Sequence, residues 1–354
     1  NDKITILSGR TVTLTDDVTA NNLDIIIRDG GVLDLSNYEF TASLLALRGT
    51  GTFKLATTNY PSVATNDFVA TGGGTTEYYN ATSFTLPTAQ TEYNNLRINA
   101  PTITATQLSD ITLNGDLHIK QGTYQINDNS ANRRQLIVNG NVLVDNGASL
   151  TIGTGNTNSS DLAGGTAPYT DYYVNNSHRI DVYGDFTNNG TVKFTNQSYP
   201  EYDAFPSDGM ATVYFMGASN NTLTCNGTTD FYNMVLSKGI DQTYKLTVYS
   251  TAYNKFRLFG RNDQSGENSA SDPYMRKALW LHKGTLELTG LTSIPSLSEA
   301  GTGGSPNGDF YIPVSAALHI NGSEVIVLST ADDYREVNLL YGVAATSNTD
   351  LGIL

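Results

Sequence analysis

A short glycine phrase returns seven times along this chain. In each copy a glycine is followed by one or two small or polar residues and then by apolar and polar positions in alternation. The copies are Gly9-Arg-Thr-Val-Thr-Leu14, Gly30-Gly-Val-Leu-Asp-Leu35, Gly51-Thr-Phe-Lys-Leu55, Gly122-Thr-Tyr-Gln-Ile126, Gly147-Ala-Ser-Leu-Thr-Ile152, Gly190-Thr-Val-Lys-Phe194 and Gly284-Thr-Leu-Glu-Leu288. A second phrase precedes it three times: Ile111-Thr-Leu-Asn-Gly-Asp-Leu117, Leu136-Ile-Val-Asn-Gly-Asn-Val142 and Ile180-Asp-Val-Tyr-Gly-Asp-Phe186. Units this short cannot bury an apolar face alone, so repetition at this spacing demands stacking and points to a solenoid.

The period selects the kind of solenoid. Gly9, Gly30 and Gly51 are 21 residues apart; Gly115 to Gly140 and Gly122 to Gly147 are both 25. The next step, Gly140 to Gly184, is 44, which reads as one coil plus a polar insertion over 154–176, rich in Gly, Ser, Thr and Asn. A leucine-rich repeat would need a convex segment and a regular Leu ladder, and neither is present. Apolar residues instead alternate with period two, as in Ile4-Thr-Ile6, Leu117-His-Ile119 and Leu286-Glu-Leu288, in runs dominated by Val, Ile, Thr, Tyr and Phe. No long stretch has helical spacing. The sequence predicts an all-β chain folded as a right-handed parallel β-helix, with glycines and Asn-Gly dipeptides at the bends. Residues 1–354 read as one continuous domain of about 12 to 15 coils, spaced about 4.8 Å apart. Polar insertions are expected near 56–75, 153–176, 197–210, 261–274 and 295–309. The chain opens at Asn1 inside a repeat and shows no polar cap, so we expect it to be a segment of a longer polypeptide.

Charge narrows the partners. The formal net charge is −14 and only 15% of residues are charged. A negative rod repels phosphates and anionic headgroups, so neither nucleic acid nor a membrane is an expected partner. No apolar run is long enough to span a bilayer. The single cysteine, Cys225, excludes an intrachain disulfide and reads as a small inward apolar residue.

Two longer blocks resemble each other: Thr91-Glu-Tyr-Asn-Asn-Leu-Arg-Ile98 and Thr229-Asp-Phe-Tyr-Asn-Met-Val-Leu236. Each leads, after a spacer, to a strand carrying His and then a glycine phrase, through Leu117-His118 and Leu281-His282. The run Ala211-Thr-Val-Tyr-Phe-Met-Gly217, then Asn221-Thr-Leu-Thr-Cys-Asn-Gly227, then the second block, resembles a repeat of very large cell-surface proteins of Bacteroidetes. Gly115-Asp-Leu-His-Ile-Lys-Gln-Gly-Thr123 is similar to the coil that follows in that repeat. The resemblance covers about residues 75 to 290, and the first 55 more loosely. It implies a giant adhesin exported by the type IX secretion system, as in gliding bacteria. The implied partners are secretion and outer-membrane components during export. The implied location is extracellular or on the cell surface.

Chemistry is sparse in the sequence. Hydrolysis of a polysaccharide needs two converging carboxylates, and lyase chemistry needs a cationic base, often with calcium. The pairs Asp16-Asp17 and Asp332-Asp333 sit where turns are expected and read as solvated. The histidines His118, His178, His282 and His319 show no metal-ligand spacing, and no cofactor is expected. Asn262-Asp-Gln-Ser-Gly-Glu-Asn268 offers oxygen ligands but lacks the alternating Asp pattern of a calcium loop. The acidic balance leaves only weak surface Ca²⁺ binding. Exposed aromatics can stack on sugar rings, and the candidates are Tyr78 and Tyr79, Tyr172 and Tyr173, all expected in loops, and Trp280, expected to point outward. The reading is a non-enzymatic adhesive rod, whose partner surface is an extracellular glycan or surface ligand. The alternatives are a carbohydrate-active β-helix enzyme (polysaccharide lyase or glycoside hydrolase) and a passive export cargo.

Overall fold

The structure, a computed structural model, describes residues 2–130, 132–155, 178–196, 209–259, 279–295, 298–300, 306–308, 314–322 and 326–328. These residues form strands, turns and bends and no helix. Pairing is parallel throughout, apart from the antiparallel pair Ser298–Ala300 with Pro306–Gly308 and an isolated bridge between Thr195 and Met210. The chain is the expected parallel β-helix.

Each complete coil carries strands on three faces. The first face stacks Glu92–Tyr93, Ile111–Leu113, Gln135–Val138, His178–Val182, Ala211–Gly217 and Asn233–Lys238, followed by the start of Leu279–Gly290. The third face stacks the ends of Asn95–Gln107 and Leu117–Ile126, then Ser149–Ile152, Thr191–Lys193, Thr228–Phe231 and Phe256–Leu258. The second face is the longest. One inward row there runs Val12, Leu33, Phe53, Thr76, Leu96, Leu117, Val142, Phe186, Leu223, Val248, Leu288 and Ile320. Twelve rungs at about 4.8 Å make a stack on the order of 50–60 Å long. The ten inner members are buried, whereas Val12 and Ile320, at the two ends of the row among the described residues, are 42% and 40% exposed. A residue on this row is sealed by the rungs above and below it, so the row buries itself only where it has two neighbours.

The core is one continuous cluster from Ile6 to Leu318. Its densest aromatic point is Phe231, whose ring centroid lies 5.3 Å from Phe194, 6.0 Å from Phe256, 6.1 Å from Phe186 and 6.4 Å from Phe215. Cys225 is fully buried, and burial pushes its thiol up to about 12.

The register resolves the 44-residue interval. Val142 pairs directly with Phe186 and Leu136 with Ile180, so Gly140 and Gly184 are on adjacent coils and the interval is one coil rather than two. One of the expected insertions needs correction. Residues 56–75 are not a polar loop: they include the strand Val63–Asn66, which pairs in parallel with Leu44–Gly49 one coil earlier, and the buried Phe68 and Val69. The stretch 295–309 carries the antiparallel pair named above. The two similar blocks do not occupy equivalent places. Residues 92–98 pass from the first face to the second, while 229–236 pass from the third face to the first. His118 therefore lies on the second face, and His282 lies at the end of the first. The same strand–turn–strand chemistry is used at different corners, which a linear comparison cannot distinguish.

Candidate functional site

The corner entering the second face explains the Gly-Asp and Gly-Asn pairs. The Asp116 N–H donates to Asn95 Oδ1 at 2.8 Å and the Asn141 N–H to Asp116 Oδ1 at 2.7 Å. The Asp185 N–H then donates to Asn141 Oδ1 at 2.9 Å, and the Thr222 N–H to Asp185 Oδ1 at 2.8 Å. Each side-chain oxygen thus holds the backbone of the next coil. The glycine before each member leaves room for that oxygen. A Cβ at Gly115 would collide with Asn95 Oδ1, one at Gly140 with Asp116 Oδ1, and one at Gly184 would lie 2.7 Å from Asn141 Oδ1. Asn141 stands between the carboxylates of Asp116 and Asp185, so like charges are not placed on neighbouring rungs.

Beside this corner, an outward row of the second face alternates in sign: Asp34, Lys54, Glu77, Arg97 and then His118 are register partners. Glu77 is the hub. It accepts from Arg97 Nη1 at 3.1 Å and Asn99 Nδ2 at 3.1 Å, and Lys54 Nζ is 3.5 Å away. Burial alone would raise its carboxyl, but these hydrogen bonds and the two cationic charges hold it below the usual range. His118 Nε2 lies 3.0 Å from Asp145 Oδ2. Between the row and the corner lies an open groove of about 420 Å³, lined by Thr75, Asn95, Arg97, Asp116, His118 and Leu143. That volume falls within the range of small-molecule sites. A second, shallower depression of about 550 Å³ on the first face is lined by Glu92, Asp110, Thr112, Gln135 and Ile137. Glu92 accepts from Asn114 Nδ2 at 2.7 Å and Asp110 from the Gln135 N–H at 2.7 Å, so both carboxylates serve the coils themselves.

The aromatic candidates fare differently from one another. Tyr78 is not in a loop; it ends the strand Thr75–Tyr78, pairs with Leu55 and Ile98, and is fully buried, with its hydroxyl 3.2 Å from Tyr93. Strand alternation sends Tyr78 inward and Tyr79 outward, so the doublet is split between core and surface. Tyr79 is half-buried; its hydroxyl donates to Asp34 Oδ1 at 2.6 Å and Lys54 Nζ sits 4.5 Å from its ring centroid. Tyr172 and Tyr173 lie outside the described residues, as do Asp332-Asp333 and Asn262–Asn268. Trp280 is the register partner of Val235 on the first face. Asp16 and Asp17 are exposed, and Asp17 Oδ1 accepts the Glu39 N–H of the next coil at 3.1 Å.

Among the histidines, His178 is fully buried, its Nδ1 accepting the Arg134 N–H at 3.0 Å, and burial lowers its pKa to about 4. His319 Nδ1 is 3.2 Å from Glu287 Oε1. Glu287 also accepts from Thr247 Oγ1 at 2.6 Å, Lys245 Nζ at 2.9 Å and Asn321 Nδ2 at 3.1 Å. The Thr247 hydroxyl above all, opposed by burial and then aided by Lys245 and Asn321, brings its carboxyl down to about 2. Among the described residues no three His, Cys, Asp or Glu side chains group as metal ligands, and no helix is long and apolar enough to cross a membrane. The alternating charge row was missed in the sequence because its members are 20, 23, 20 and 21 residues apart and become neighbours only in register.

No family model, curated protein or solved structure matches this chain.

Proposed function

We propose that this chain is a non-enzymatic structural and adhesive rod segment of a secreted or cell-surface bacterial protein, exported by a type IX-like system. The observation that carries the reading is the long, continuous parallel stack with its charged side chains tied to neighbouring coils, which suits reach and stiffness more than turnover. The groove beside Arg97 and His118 is its adhesive surface, taking an extracellular glycan. Amide, guanidinium, imidazole and hydroxyl groups around an apolar Leu143 suit the vicinal hydroxyls and apolar face of a sugar. The test is incubation with a polysaccharide panel. Retention without new reducing ends or unsaturated sugars supports the rod. The second reading, a carbohydrate-active enzyme, draws on the His118–Asp145 pair in that groove. Product formation that is lost in His118→Ala would replace the first reading with the second.

A further inference from the structure

We propose that Lys238 and Asn221 join in an intramolecular isopeptide bond, locking two successive coils together covalently. This inference does not depend on the adhesive reading. Lys238 closes the strand Asn233–Lys238 and is 1% exposed. Its Nζ reaches back to the preceding coil, donating to Met216 O at 2.8 Å and to Asn221 Oδ1 at 2.6 Å. Asn221 in turn directs its amide nitrogen at Asp185 Oδ1, 3.4 Å away on the coil before that. An amine, a primary amide and a carboxylate therefore stand in line at the end of the corner ladder. Each is a side chain whose place is fixed by the stack.

Lysine amines are nucleophiles only when unprotonated, and removal from water favours the neutral form. Burial brings the Lys238 ammonium down to about 8, against the opposing pull of Asp185. A fraction of free amine is thus present at neutral pH. In the reaction the Lys238 Nζ lone pair forms a bond to Asn221 Cγ, and the Cγ–Nδ2 bond breaks. The proton released from Nζ passes through the Asp185 carboxylate to Nδ2, which leaves as ammonia. Amine plus primary amide becomes secondary amide plus ammonia, Asp185 is regenerated, and no oxidant or cofactor is needed. Holding the reactants in contact makes the step unimolecular.

Intact-mass measurement of the folded full chain tests this. The expected result is a deficit of one ammonia from the sequence mass, with a branched peptide joining residues 221 and 238 after digestion. Lys238→Arg and Asp185→Asn keep a donor and a ladder acceptor respectively, and both should show the full sequence mass. An unmodified mass after prolonged incubation of the wild-type chain at neutral and mildly alkaline pH overturns the proposal. So does an ammonia deficit with no branched peptide, which marks a succinimide. A crosslink that persists in Asp185→Asn removes Asp185 from the reaction. The wild-type measurement stands whether or not either variant folds.

Discussion

A methyl group at Gly140 would enter the space held by Asp116 Oδ1 and press on the Gly115 backbone, although the backbone at Gly140 is ordinary. At Gly147 the situation is reversed: φ is +83° and nothing lies near the Cβ position. The two glycines are required for different reasons, and substitution separates them. Gly147→Ala is expected to cost about 1–2 kcal/mol, the cost of a left-handed conformation. Gly140→Ala is expected to cost about 1–3 kcal/mol through overpacking. Of the two, only the second loosens the Asn141 N–H to Asp116 contact, which amide exchange at Asn141 reads directly. In the core, Phe231→Ala removes the ring that touches four others. It should lower stability by about 3–5 kcal/mol in chemical denaturation. Alternation showed that Leu117 and Ile119 face inward. It also placed Cys225 correctly, because an apolar-polar rhythm has one phase. The Tyr78-Tyr79 doublet misled because adjacent aromatics look like a loop until the strand Thr75–Tyr78 is known to continue to its last residue.

Among the strands, the second face couples distant carboxylates to stability. Glu287 has a folded pKa of about 2 against an ordinary 4.5. Its contribution is fully present above the unfolded value and is lost as pH falls from there toward 2. The wild-type chain should therefore be more stable than Glu287→Gln at neutral pH, and the gap should close over that acid range in denaturation midpoints. A gap independent of pH would show that Glu287 acts by packing alone. The spacing of the glycine phrases made the coil period legible, including the 44-residue step. What it could not supply was the face. Gly9, Gly30, Gly51 and Gly284 open onto the second face, whereas Gly122, Gly147 and Gly190 open onto the third. A turn that needs glycine looks the same in sequence at either corner. The charge row was illegible for a related reason: the identity of a neighbour one rung away depends on loop lengths that periodicity does not fix.

Across the whole stack, protection should follow the number of neighbouring rungs. The strand Thr11–Thr13 is exposed at every position and pairs on one side, while Leu117–Ile126 is bordered on both. Native-state hydrogen exchange should therefore be fastest in residues 3–13 and slowest between residues 95 and 250. Uniform protection from end to end would indicate a cap on the first rung. The break between Ile152 and His178 has a wider consequence. The strands on either side of it pair as though nothing intervened, with Ser149 opposite Thr191 and Leu136 opposite Ile180. Register here is thus set by the pairing of the flanking strands with their neighbouring coils. A foreign peptide spliced between those two strands would inherit two anchored ends, which makes the molecule a ready carrier for grafted epitopes.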